Sequence, residues 1–253
     1  MANGKDLTGG FAKGDIAQAT PADGTQVVES RYEDGKVKER SQIRNGKLEG
    51  ETQSFSPDGR PLRSAHLREG VLDGEVRIYD DAGQLAQKSQ YAAGVLDGRT
   101  LLYSEGQPIA MLHYRQGVQE GEFISYGETG EAAARMTYLR GKPHGEALYY
   151  DPNGKLVRRA QYALGALEGE AIEYDSKGKV LERAPYRNGK LDGERKRFHA
   201  NGKLKETALF KEGKPAGPVR EYDEAGNPKA AAGAGAQPWQ SRMSAFLEKL
   251  VKG

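Results

Sequence analysis

The chain has 253 residues, with 38 Lys and Arg against 36 Asp and Glu, and only 36% of it is hydrophobic while 34 positions are glycine. Near neutrality removes the overall positive field that nucleic acid would call for, and the absence of cysteine excludes disulfides and thiol chemistry and suits a reducing compartment. So low an apolar content fits a thin structure with little deep core, and no apolar run approaches the ~20 residues that span a bilayer.

Residues 1 to 24 are rich in Gly, Ala, Asp and Thr without apolar periodicity, and read as a mobile arm. The opening Met1-Ala2-Asn3-Gly4-Lys5-Asp6-Leu7 lacks the apolar core of a secretory signal. A cytoplasmic location is therefore the expectation, unless a leader was removed before the numbering begins. Ordered structure is expected from Gln26 to about Pro228.

Over that stretch one pattern recurs, aromatic-x-x-Gly-x-x-x-Gly-Glu-x-x-x-aromatic-Asp-x-x-Gly. Its spacing is 24 residues with one step of 23, as in Gly117/Gly121, Gly141/Gly145, Gly165/Gly169 and Gly189/Gly193. A fixed period of this length means a repeat array. Within a unit the apolar positions alternate, which argues strands. Asp151-Pro152-Asn153-Gly154 supplies a turn, so each unit is a β-hairpin and Gly-x-x-x-Gly leads to the next. The fold class expected is all-β, an elongated single-layer antiparallel sheet of stacked hairpins over 25–228.

Stacking puts equivalent residues in columns. One aromatic column runs Phe55, Tyr79, Tyr103, Tyr126, Tyr150, Tyr174, Phe198, Tyr222; a second runs Tyr91, Tyr114, Tyr138, Tyr162, Tyr186, Phe210. Small residues such as Ala160, Ala184 and Ala208 lie between them, and all three columns are expected on one packed face.

After Gly226 the repeat stops. Residues 229–237 read as a linker, and 238–253 has the spacing of a short amphipathic α-helix with Trp239, Met243, Phe246, Leu247 and Leu250 on one stripe. Two readings stand for it, a cap on the end of the array or a contact with a partner or membrane.

Units such as Tyr186-Arg187-Asn188-Gly189-Lys190-Leu191-Asp192-Gly193-Glu194 and Tyr174-Asp175-Ser176-Lys177-Gly178 resemble the MORN-repeat family, in the bacterial variant found in YwqK-like antitoxins. The resemblance covers about residues 26 to 227. It implies a scaffold that binds and neutralises a cognate bacterial toxin as an immunity protein. Other family members imply the alternative, a membrane- or lipid-associating scaffold. The family contributes no catalytic motif.

The residues agree with a non-enzyme. The repeated acids, Glu49, Asp97, Glu168 and Asp192 with Glu75, Glu146, Glu170 and Glu194, are expected to bond turn backbones or neighbouring Lys and Arg. His66, His113, His144 and His199 lie in different units without ligand spacing, so no metal or cofactor is expected. The candidate partner-binding residues are those that break the polar pattern of the second face: Leu102, Met111, His113, Phe123 and Tyr149. Beside them run the basic positions Arg135, Arg159, Arg183, Arg195 and Arg197. The competing reading makes them ordinary strand residues, covered by a terminus or solvated.

Overall fold

The computed structural model describes residues 24–229, and among them every regular element is a β-strand. The expected helix, the arm but for Gly24, and the linker but for Lys229 lie outside the described residues. Each strand pairs antiparallel with its neighbour in sequence, from Gln26–Arg31 at one end to Arg220–Glu221 at the other, in one open sheet. In the later units the first strand of the hairpin is interrupted beside the acidic residue, as in Ala166–Leu167 and Gly169–Tyr174.

Two kinds of turn alternate along the chain, except at Glu105-Gly106, where a two-residue turn stands in place of the longer one. At the Asp-x-x-Gly turns the aspartate closes the loop: Asp151 Oδ1 accepts from the Asn153 and Lys155 amides at 2.9 and 3.0 Å, and Asp175 repeats this with Lys177 and Lys179, both at 2.8 Å. These bonds to the charged form hold both carboxyls below the usual range. The following lysine reaches the next turn, Lys155 Nζ donating to Ser176 O at 3.0 Å and Lys179 Nζ to Ala200 O at 2.7 Å. One row of turns is thus stitched together along an edge of the array.

The opposite edge is made of two-residue turns with positive φ at both positions, such as Asn188 (50°) and Gly189 (77°). This is the hairpin turn whose twist matches that of the strands it joins. The repeated acids tie these turns to one another: Glu49 accepts from the Glu69 amide at 2.7 Å, Asp97 from Gln116 at 3.0 Å and Glu168 from Asn188 at 2.8 Å. His144 takes the same position in its unit, Nδ1 accepting from the Leu164 amide at 3.4 Å. Leu164 sits at φ 47° with its side chain 53% exposed, a left-handed conformation that costs a branched residue about 1 kcal/mol and asparagine less. Leu164→Asn should therefore raise the urea midpoint by an amount worth about 1 kcal/mol without changing the slope of the transition.

Within every hairpin the register slips by one residue. In the unit Lys142–Tyr150 and Leu156–Ala163, Tyr150 pairs with Leu156 but Tyr149 pairs with Arg158, so Val157 is left over. The unpaired residue recurs as Leu62, Ala86, Ile109, Ala133, Leu181 and Lys205. A β-bulge of this kind flips the facing of everything beyond it.

That slip separates the two aromatic columns. Opposed residues share a face, so Ala147 and Ala160, Tyr149 and Arg158, and Gly145 and Tyr162 lie together on what we term the alanine face. Arg159 and Gln161, paired with Leu148 and Glu146, occupy the other, the arginine face. The second aromatic column joins the small residues, each ring opposite a glycine: Gly74 with Tyr91, Gly121 with Tyr138, Gly169 with Tyr186. The first column lies beyond the bulge on the arginine face, where Phe198 and Tyr222 stand beside Arg183 and Lys196. The expectation of one packed face carrying both columns is corrected on this point.

The core is the small-residue lane of the alanine face. Ala147 and Ala160 are fully buried by side chains of the sheet itself among the described residues. Taller residues close over them: the Tyr149 and Tyr162 hydroxyls meet at 3.1 Å, and Phe123 packs on Tyr138 with ring centroids 5.7 Å apart. Toward the N-terminus the lane turns polar, with the Thr100 hydroxyl donating to Ser89 Oγ at 3.1 Å.

Candidate functional site

The ten residues singled out from the sequence divide between the faces. Leu102, Phe123, Tyr149, Arg195 and Arg197 belong to the alanine face, through their pairing with Ala110, Met136, Arg158, Ala208 and Glu206. Met111, His113, Arg135, Arg159 and Arg183 belong to the arginine face. The expected common surface is therefore corrected, and the bulge is the reason: an unbulged hairpin would set Tyr149 against Val157, on the face away from Ala160.

On the alanine face Tyr149, Arg195 and Arg197 are engaged within the sheet. Tyr149 lies over the alanine lane, its hydroxyl pushed well above the usual tyrosine range by burial and by the bond to Tyr162. Arg195 is 6% exposed, bonded to Glu206 at 2.5 Å, with its guanidinium 5.2 Å from the Phe210 ring. Arg197 bonds Glu182 at 2.8 Å and lies 3.7 Å from Glu206. Glu173, directly opposite Glu182, is held above the usual carboxylate range by burial and then by that neighbour. Its folded form binds a proton more tightly than the unfolded chain, so its charge costs stability at neutral pH and that cost disappears as pH falls. Glu173→Gln should accordingly raise the melting temperature at pH 7, with the gain shrinking as pH is lowered from above the ordinary glutamate value down to it; a constant gain at every pH would contradict this assignment.

The arginine face carries one continuous row across the sheet, each residue paired with the next. Its middle reads Lys88, Leu101, Met111, Ile124, Arg135, Leu148, Arg159, Ile172, Arg183, Lys196, Thr207. Met111 and Ile124 are 9% and 6% exposed, so the central apolar patch is packed into the row and is not offered to solvent. His113 Nδ1–H donates to the Glu122 carbonyl at 3.1 Å, which fixes its ring. A second row of acids runs alongside and meets the cations: Lys88 with Glu75 at 2.6 Å, Arg159 with Glu146 at 3.7 Å, Arg183 with Glu170 at 2.9 Å, Lys196 with Glu194 at 3.4 Å. Such exposed pairs stabilise little individually, but they leave the ladder of arginines largely neutralised.

At its C-terminal end this face dips into a hollow of about 680 Å³ lined by Glu170, Arg183, Pro185, Glu194, Lys196, Phe198, Leu204, Thr207 and Tyr222. Of the sequence-chosen residues only Arg183 lies in it. Phe198 and Tyr222 belong to the first aromatic column, and Lys196 lies between Arg195 and Arg197, which face the other way. A bulge in the preceding hairpin is the signal that would have reassigned them.

The unit of this architecture, a bulged hairpin opened by Gly-x-x-x-Gly, coincides with what comparison with known families finds. The MORN repeat variant model matches residues 72–93, 143–163, 167–188 and 191–212, and each of these intervals holds one hairpin. The chain is a MORN-family repeat protein. The units between the matched MORN hairpins keep the same bulge and turns. No curated protein matches the sequence. Among matching solved structures is a chain of one titled "Crystal Structure of TcdB2-TccC3-Cdc42", 12% identical over 82% of this chain and 12% of that chain, with a TM-score of 0.20. The present chain thus spans about an eighth of that one, and a likeness so slight bears on neither fold nor function.

Proposed function

We propose that this MORN array is a non-catalytic binding protein of the immunity type, which occludes a cognate bacterial toxin with the C-terminal part of its arginine face. The observation that carries the reading is the hollow. Phe198, Leu204 and Tyr222 give it an apolar wall, and Arg183, Lys196, Glu170 and Glu194 supply charge of both signs. An aromatic pocket within a mixed polar surround is the arrangement at which protein partners concentrate their binding energy. The toxin as partner rests on the resemblance to YwqK-like antitoxins, and no nucleic acid, metal or cofactor enters the reading.

The lipid-associating alternative would use the arginine ladder against anionic headgroups. The ladder's pairing with Glu146, Glu170 and Glu194 speaks against it, because the carboxylates already compensate the charge that a membrane would need to find free. Salt-sensitive co-sedimentation of the protein with anionic vesicles would reverse this ranking.

A toxin encoded beside this protein should co-purify with it in a fixed ratio. Arg183→Glu and Lys196→Glu place a third acid beside Glu170 and Glu194, and each should weaken that complex about tenfold while leaving the melting temperature within a few degrees. Toxin protection equal to that of the unaltered protein in both variants would rule the hollow out as the binding surface.

A further inference from the structure

The last unit of the array is left unfinished by the described residues. The strand Leu204–Lys211 has only the two-residue pieces Lys214–Pro215 and Arg220–Glu221 beside it, paired over four of its positions. Leu209 and Val219 are 47% and 53% exposed there. Leu209 pairs with Glu194, so it borders the hollow on the arginine face. An end unit of a repeat array that shows apolar surface needs a cover, because each unit buries its face only against a neighbour.

The chain itself carries a segment suited to this. The described residues end beside the hollow: Tyr222, one of its lining residues, bridges to Pro228, and the Lys229 amide donates to Glu221 O at 2.8 Å. From Lys229 to Trp239 is ten residues, a reach of up to about 33 Å, enough to return to any part of the hollow. Between Pro238 and Val251 the sequence places Trp239, Met243, Phe246, Leu247 and Leu250 at helical spacing, with Arg242 and Lys249 beside them. The hollow offers Phe198, Leu204 and Tyr222 to the apolar stripe, and Glu170 and Glu194 to the two cations.

We propose that the segment Pro238–Val251 folds back and seats in this hollow within the same chain, with Trp239 as an anchor, completing the last repeat. The docking stands apart from the toxin reading. Only its consequence rests on that reading: a partner that uses the hollow must displace the segment, which makes the C-terminus an internal competitor for the binding surface.

Trp239 is the one tryptophan in the chain, so its fluorescence reports the docking in the full-length protein without any partner. The expected emission is that of an apolar-sheltered indole, several-fold less quenched by acrylamide than free tryptophan, and unchanged on dilution. Leu209→Asp and Tyr222→Ser should each move it to the hydrated position, while Leu62→Asp, at a 40% exposed leucine in a distant unit, should leave it in place. Circular dichroism on the same samples shows that the strands persist. Hydrated emission in the unaltered protein would overturn the proposal. So would sheltered emission that ignores both hollow variants, or shelter lost on dilution, which would place the segment on a second copy. A failure of toxin binding alone would leave the docking intact.

Discussion

Gly193→Ala is expected to destabilise the C-terminal half of the array by about 3 kcal/mol. Gly193 sits at φ 126° opposite Phe210, and a methyl group there would lie 2.9 Å from Pro185 Cγ, on a ring that cannot swing aside. The substitution therefore meets two costs, a backbone conformation open almost only to glycine and an overlap that must push two strands apart. Gly145→Ala isolates the first cost, since at φ 88° nothing lies within 4 Å of the added methyl. It should lose about 1 kcal/mol. Because such arrays are stabilised by neighbour contacts, the larger loss should appear as faster amide exchange in the hairpins flanking Gly193, with the distant N-terminal units little altered.

The second large effect is expected at the buried ion pair of the alanine face. Glu206 holds Arg195 at 2.5 Å and stands 3.7 Å from Arg197, and the Arg195 side chain is 7% exposed. Removing the carboxylate in Glu206→Ala takes the bonded anion away from a buried guanidinium, which costs about 3 kcal/mol. Replacing both partners, Arg195→Met with Glu206→Leu, should recover most of that loss, because a well-packed apolar pair escapes the desolvation that the charges must overcome. Urea midpoints of the single and double variants measure this directly; equal losses in both would mean that the pair itself, rather than its desolvation, dominates.

Much of this molecule is legible in its sequence because each local signal repeats eight times. The period, the Asp-x-x-Gly turns and the all-β class follow from spacing, and the acids read as ties to turns or to Lys and Arg are found in those roles at Glu49, Glu168, Glu146 and Glu170. Facing is where the reading failed. Tyr149 seemed to point away from Ala160 because strands were taken to run in step, and one extra residue, Val157, reverses the answer for the whole hairpin. Nothing in Leu156-Val157-Arg158 announces a bulge, since an unpaired valine there has the same composition as a paired one. The same slip made Phe123 and Leu102 look like an exposed patch when they belong to the packed side. It also hid the hollow, where Phe198 and Tyr222 of the first aromatic column meet Lys196 of the basic row.

The proposed binding surface lies on one side of a single-layer sheet, and side-chain labelling distinguishes the sides. A complex with the proposed toxin partner is to be treated with hydroxyl radicals and each aromatic residue scored against the protein alone. Protection of Phe198 and Tyr222, with Tyr138, Tyr149 and Tyr162 unchanged, is the predicted result. Protection confined to Tyr138, Tyr149 and Tyr162 would put the partner on the alanine face and contradict the account.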